Sequence, residues 1–397
     1  MMRMYIFFFT VLTLFTGLTY LAGRLLRNTN KKIWRISALD RTGKLLPFVM
    51  VIMLVVWSAG SGFGQHTVRF AGATGSAVIM IFSLILLLTL PFSLFTNRIS
   101  GWIKYFGAKQ IKSEEAHAQR RLFLKSTAAV IPVLALGTSG SALAASFENV
   151  RFPKVKMKYA NLPEELDGFK ILHLSDLHLG YYFNLDDLEN TLIRAEALKP
   201  DMILVTGDVA DDLTQLGGAM NLIDQLKTPF SKFVSLGNHE YHRGIREVKK
   251  ILDAGPVPLL QNDSALLEVG NSKLYIGGAD DPVMLRSEMT EFLDKTVQAA
   301  MYKAPAEAFK VLMSHRPRAL DVADAHSVDL VLSGHTHGGQ VGFNGRSAFE
   351  SFAKESYLWG KYQQGRTQLY TSAGMGQWFP FRLGCPAEAP LIILKKA

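Results

Sequence analysis

Hydrophobic and polar positions divide this 397-residue chain into two unlike parts. In the first, charged residues vanish for long intervals: none occurs between Arg3 and Arg24, Lys44 and Arg69, Arg69 and Arg98, or Lys125 and Glu148. Each interval holds at least 20 residues, and a helix rising about 1.5 Å per residue needs roughly 20 apolar residues to cross the hydrocarbon layer. The first three intervals therefore predict membrane spans. The fourth contains STAAVIPVLALGTSGSALAAS, with Pro132 and several Gly and Ser, and reads either as a fourth span or as a soluble segment. Beyond it the pattern changes to a rhythm of short apolar runs, each ending in a cluster of Asp, His, Asn or Gly and followed by a polar or helical stretch. FKILHLSDLHLG ends in Asp176 and His178, DMILVTGDVAD carries Asp208, and KFVSLGNHEYH carries Asn238 and His239. FKVLMSHRP carries His315, and VDLVLSGHTHGG carries His335 and His337.

Runs rich in Val, Ile and Leu between turn residues read as buried strands. LDDLENTLIRAEAL and IREVKKILDA carry helical spacing between them, with Asn184 as a helix cap. Alternating strands and helices imply an α/β sheet covered on both faces, where functional groups gather past the carboxyl ends of the strands. Five strands would deliver their polar residues to one rim. The predicted organisation is a membrane region over residues 1–145, with about four transmembrane helices, and a soluble domain over 146–397.

Charge refines this picture. Cytoplasmic loops collect Lys and Arg; residues 24–44 hold seven and residues 97–125 another seven, whereas only Arg69 lies between spans two and three. Both basic loops are therefore expected inside, with the amino terminus and everything after residue 146 on the extracytoplasmic face of a bacterial inner membrane. Of 43 basic and 34 acidic residues, 16 and 3 fall in 1–145, leaving 27 and 31 for the soluble domain. The net charge of +9 is thus topological, and no basic patch argues for a nucleic-acid partner. The spans contain no Asp or Glu, which argues against coupled ion transport. A single cysteine, Cys385, excludes an internal disulfide and a thiolate metal site.

The candidate chemistry lies at the strand ends. His335 and His337 flank one residue, and Gly334, Gly338 and Gly339 let backbone approach them closely. Asp176, His178, Asp208, Asn238, His315, His335 and His337 offer seven N and O donors without sulfur, a set suited to Mn, Zn or Fe. Seven exceed what one four-coordinate ion can use, and a bridging carboxylate makes two divalent ions the economical solution. Such a pair can clamp a phosphate and make hydroxide available near neutral pH. For His66, His117, His173, His242 and His326 a structural role is expected, while Asp280 and Asp281 belong either near the site or in a turn.

The series D-x-H, G-D, G-N-H-E, H and G-H-T-H resembles the calcineurin-like metallophosphoesterase superfamily over residues 165–397. The wording GNHEY, GGADD and SGHTHGGQ resembles its bacterial membrane-anchored and exported phosphodiesterase branch. The resemblance implies a four-layer α/β/β/α sandwich domain, here preceded by an all-α transmembrane region. It places Asp176, His178 and His337 on one metal and Asn238, His315 and His335 on the other, with Asp208 bridging and His239 as general acid. It also implies hydrolysis of a phosphate ester, whether a phosphodiester or a lipid-linked envelope phosphoester. Alternatives are a UDP-diacylglucosamine-type pyrophosphate hydrolase and a non-catalytic metal-binding sensor or scaffold at the membrane. Separately, QRRLFLK at 119–125 resembles a twin-arginine export signal through Arg120, Arg121, Phe123, Leu124 and Lys125, with ALAA at 142–145 as a cleavage site, and implies the export machinery as a partner. The other reading makes Arg120 and Arg121 anchors of an uncleaved helix. Arg243, Arg316 and Arg382 are candidates to hold a substrate phosphate, against surface salt bridges for the first two. The aromatic stretches GYYFN (180–184), YLWGKY (357–362) and GQWFPFRLG (376–384) either line a pocket or touch the bilayer, or else pack the domain.

Overall fold

The computed structural model describes residues 2–32, 35–62, 65–88, 133–180, 182–281, 288–353, 357–377 and 379–397. The twin-arginine-like segment and the basic stretch 97–125 lie outside the described residues. The chain divides into two compact units, Met1–Ala144 with Phe379–Phe381, and Ala145–Trp378 with Arg382–Ala397.

The first unit contains α1 (Met2–Lys32), α2 (Ser37–Gly62) and α3 (His66–Leu88). Among the described residues, three helices are long and apolar enough to cross a membrane, through Phe9–Lys31, Ser37–Gly60 and Thr67–Leu87. Several of their hydroxyls bond locally: Thr19, Ser76 and Ser83 donate to the carbonyls of Phe15, Gly72 and Ile79 one turn back. The fourth apolar stretch is described from residue 133 as a shorter helix, α4 (Val133–Ala145).

The second unit is built on two sheets. One has the order β1-β13-β2-β3-β4, from β1 (Lys154–Tyr159), β2 (Lys170–Leu174), β3 (Met202–Thr206), β4 (Lys232–Ser235) and β13 (Leu391–Lys396). The other has the order β11-β12-β8-β7-β6-β5, from β5 (Asp263–Val269), β6 (Ser272–Gly278), β7 (Phe309–Met313), β8 (Leu330–Ser333), β11 (Gly360–Gln364) and β12 (Thr367–Thr371). A two-residue hairpin pair, β9 (Gly342–Phe343) and β10 (Arg346–Ser347), stands apart.

Alternation along each strand assigns its side chains to two different cores. Ile171 and Leu204 of the first sheet meet Val311, Met313, Leu330 and Leu332 of the second in one apolar layer. Leu172, Leu174, Ile203 and Val205 face outward. They pack against α5 (Leu185–Glu196), α6 (Leu216–Gln225) and α7 (Asn238–Asp253) through Leu188, Met220 and Val248. On the far side, Leu312, Val331 and Leu369 pack against Leu293 and Val297 of α8 (Met289–Met301). The layers therefore run α/β/β/α. This is the four-layer sandwich that the family resemblance implies; strand patterning alone gives only a covered sheet, because a strand buried on both faces is apolar at every position, whether its second face meets a helix or another sheet. Asn184 caps α5 as expected, accepting from the N–H groups of Asp186 and Asp187.

Candidate metal centre

The five polar clusters converge from both sheets, following β2, β3, β4, β7 and β8. Their backbone is unusual. Asp176, His178, Asp208, His335 and His337 have φ of 51°, 46°, 52°, 70° and 49°, a left-handed region that non-glycine residues enter at a cost. Tight packing holds them there. A Cβ on Gly334 would lie 1.9 Å from Ser175 Oγ and 2.0 Å from Asp176 Oδ2, so only glycine lets the β8 loop reach Asp176. The amide of His335 then donates to both oxygens of that carboxylate at 3.0 Å.

Three donor triplets surround Asp208: Asp176, His178 and His337; His178, Asp208 and His239; and Asp208, His315 and His335. His178 Nε2 and His337 Nε2 lie 3.1 Å apart, with Asp176 Oδ1 3.4 Å from His337 Nε2 and Asp208 Oδ2 3.7 Å from His178 Nε2. On the other side, His315 Nε2 stands 3.1 Å from Asp208 Oδ2, and Asp208, His315 and His335 bring donor atoms within 4.8 Å of one another. His315 donates from Nδ1 to the carbonyl of Thr206 at 2.8 Å, which leaves the Nε2 lone pair facing inward.

The donor set fits cations. Asn238 Oδ1 is buried without a hydrogen bond, and the carboxylates of Asp176, Asp208 and Asp211 are all buried within the same cluster. Three carboxylates crowded into a dry site repel one another, and an amide oxygen buried there unpaired costs roughly 1–3 kcal/mol; divalent ions among them relieve both. The electrostatics of the protein groups alone are divided. Burial opposes protonation of His178 and His315, yet the nearby carboxylates win, pushing His178 up to about 9 through Asp211, Asp208 and Asp176 and His315 up to about 10 through Asp208, Asp176 and Asp281. Burial carries His335 and His337 well below the usual imidazole range, reinforced by Arg316 and His178 respectively. Against its own burial, Asp208 is held well below the carboxylate range by His315, His239 and His178.

Two functional residues escaped the sequence reading. Asp211 accepts from His239 Nδ1 at 2.6 Å and from Arg243 Nη2 at 3.0 Å, so the ring presents its other nitrogen to Asp208 Oδ2, 4.0 Å away. Glu240 is buried and accepts from the amides of Asp208, Val209 and Gly237 at 2.7 to 2.9 Å, tying the β3 loop to the start of α7. Their signal was present as the spacing GDVAD and GNHE, but side-chain contact across the rim was needed to give it meaning.

The arginine candidates separate. Arg243 stays at the cluster through Asp211. Arg316 is bound by Asp281 through Nε at 2.8 Å and Nη2 at 3.1 Å, with Nη1 2.6 Å from His335 Nε2; Asp281 thus joins the site's edge. Arg382 is a correction: it is 1% exposed and spends its guanidinium on the carbonyls of Ala373, Gly374, Gly376 and Cys385. It clamps a loop and is closed to substrate. Of the aromatic stretches, Phe183 and Trp359 are buried, Trp359 donating to Glu388 at 3.0 Å, while Tyr181 and Trp378 lie outside the described residues. His173 bonds Thr206 Oγ1 at 2.8 Å and His326 bonds Asp294 at 2.7 Å; His117 lies outside the described residues.

A cluster of His and Asp suited to two divalent ions, at the shared rim of a double-sheet sandwich, defines a metal-dependent hydrolase of phosphate esters as the class. The calcineurin-like phosphoesterase family profile matches residues 169–339. An uncharacterized metallophosphoesterase of Bacillus subtilis, YkuE, is 31% identical over 287 residues, covering 70% of this chain and 97% of the relative. The phosphodiesterase YaeI of Escherichia coli is 26% identical, covering 69% and 98%. A transmembrane protein with a metallophosphoesterase domain from Danio rerio is 27% identical, covering 61% and 57%. The chain belongs to the calcineurin-like metallophosphoesterase family.

Proposed function

We propose that the protein is a membrane-anchored phosphoesterase acting on a phosphodiester or a lipid-linked envelope phosphoester. Asp176, His178 and His337 would hold one divalent ion, Asn238, His315 and His335 the other, and Asp208 both. The observation that carries this reading is that Asp208 joins His178 and His239 in one donor triplet and His315 and His335 in another, while His178 is shared with Asp176 and His337; the His239 amide holds its second oxygen at 2.8 Å. Ions so placed supply Lewis acidity toward a phosphoryl group and a nucleophile near neutral pH. The protein's own part is to orient and to move a proton. Asp211 fixes His239 through Nδ1, leaving Nε2 to protonate the departing oxygen. Arg243 stands beside that dyad, 3.0 Å from Asp211, where it can meet a non-bridging phosphoryl oxygen.

The basic loops favour an extracytoplasmic domain, and the name of the zebrafish relative accords with a membrane setting. A cytoplasmic UDP-diacylglucosamine-type substrate is therefore the second reading. The test uses the detergent-solubilised full chain, stripped with chelator and reloaded with Mn, Zn or Fe, on paired chromogenic mono- and diesters. Turnover restored by one ion and absent in Asp208→Asn supports the reading; inert, metal-loaded protein on both esters and on lipid phosphoesters refutes it. A reporter active only outside the cytoplasm, fused after Ala397, decides between the two substrates' compartments.

A further inference from the structure

Large apolar side chains of the second unit are mostly buried; Phe147, Ile193, Leu266 and Tyr302 are exposed singly, whereas one short segment exposes three together. Phe343, at the end of β9, is 84% exposed, Phe349 is 46% exposed and Phe352 is 88% exposed. Three exposed phenyl rings within ten residues are denser than the scattered single exposure normal on a soluble surface. The segment is ordered by its own backbone. Ala348 N–H donates to Val341 at 2.8 Å, Phe352 N–H donates to Phe349 at 2.9 Å, and β9 pairs with β10 through Phe343 and Arg346.

Its position ties it to the candidate centre. The turn His337–Gln340 leads directly into β9. A Cβ on Gly339 would lie 2.7 Å from the Phe349 ring, which puts that ring against backbone two residues from His337. The chain also identifies the occupant. Three of its helices are long and apolar enough to cross a bilayer. A domain on the same chain as such helices meets lipid at high effective concentration, and its excess of acidic residues favours apolar over electrostatic attachment.

We propose that residues 343–352 form a bilayer-contacting element, in which Phe343 and Phe352 enter the lipid interface and Phe349 joins that surface to the metal centre, so that a lipid phosphoester reaches His337 from the membrane. The lipid substrate rests on the function proposed above, whereas the bilayer contact does not. Cys385 is buried, so the introduced cysteines of Phe343→Cys and Phe352→Cys can be labelled singly with an environment-sensitive fluorophore in the full chain. The protein is reconstituted into vesicles of phosphatidylethanolamine and phosphatidylglycerol carrying doxyl-labelled lipid. Tyr302→Cys, at a position 84% exposed and remote in sequence, is the aqueous control. Both phenylalanine sites are expected to be quenched by doxyl lipid and shielded from iodide, and the control the reverse.

Quenching of both by iodide alone overturns the proposal, and so does shielding from both quenchers, which would indicate a second protein copy. In the catalytic arm, Phe343→Ser/Phe352→Ser should raise KM for a long-chain phosphoester in vesicles by roughly tenfold and leave a soluble chromogenic ester unchanged. Equal loss on both esters would overturn the link to the site. Doxyl quenching without any hydrolysis would sink the phosphoesterase reading while leaving the bilayer contact standing.

Discussion

Metal binding should expel two protons, and the structure gives the size of the effect. His178 is pushed up to about 9 and His315 to about 10 by the carboxylates around them, so both rings are charged at pH 7 before an ion arrives. An imidazolium cannot ligate. Displacing both protons at pH 7 costs about 7 kcal/mol, since each pKa unit is worth about 1.36 kcal/mol. Affinity should therefore climb about a hundredfold per pH unit between 7 and 9, about tenfold from 9 to 10, and level off above. The assay is chelator competition at stepped pH, with calorimetry in buffers of different ionisation enthalpy to count protons. A pH-independent affinity with no buffer dependence would mean that the two rings are neutral, and the electrostatic reading of the cluster would fail. The same shifts set a sign for the ion-free protein. Raised imidazole pKa values stabilise the fold fully below about 6.5, and that contribution is lost as pH rises through 9 and 10.

Other expectations follow from single contacts. Glu240→Ala removes the acceptor for three buried amides, worth about 3 kcal/mol together, so amide exchange across 207–209 and at 237 should accelerate by roughly a hundredfold while β7 is unchanged; unchanged exchange at 207–209 would contradict the buttress. His239→Ala should retain metal by elemental analysis yet lose about 10²-fold in turnover of poor leaving groups, with equal loss for good ones counting against an acid. Asp211→Asn should behave like a milder His239→Ala, because the amide can still accept from Nδ1; full activity would remove Asp211 from the dyad. Arg382→Met takes the arginine from four buried carbonyls, of which only that of Gly374 keeps another donor, the Glu388 amide, and should destabilise by about 3–5 kcal/mol in thermal scans; a stable variant with altered KM would restore Arg382 as a substrate contact.

Much was legible without coordinates because it is periodic or local. Charge-free intervals longer than a bilayer is thick mark α1 to α3 whatever they pack against, and Asn184 ahead of LDDLENTL marks a cap from spacing alone. Apolar runs ending in Asp176, Asp208, Asn238, His315 and His335 mark strand ends, because a buried strand must terminate before its first solvated or ligating side chain. Tertiary structure decided what depends on the second face of a strand and on contacts between distant residues. The split into two sheets was hidden since Leu172 and Ile171 are equally apolar, although one meets helices and the other a sheet. Asp211 and Glu240 looked like ordinary acids until α7 and the β3 loop were brought together 30 residues apart. Arg382 looked like a phosphate ligand until its guanidinium proved enclosed by carbonyls. Phe343 and Phe352 carried no pattern to distinguish them from core residues, because exposure is a property of the whole packed surface and not of the residue.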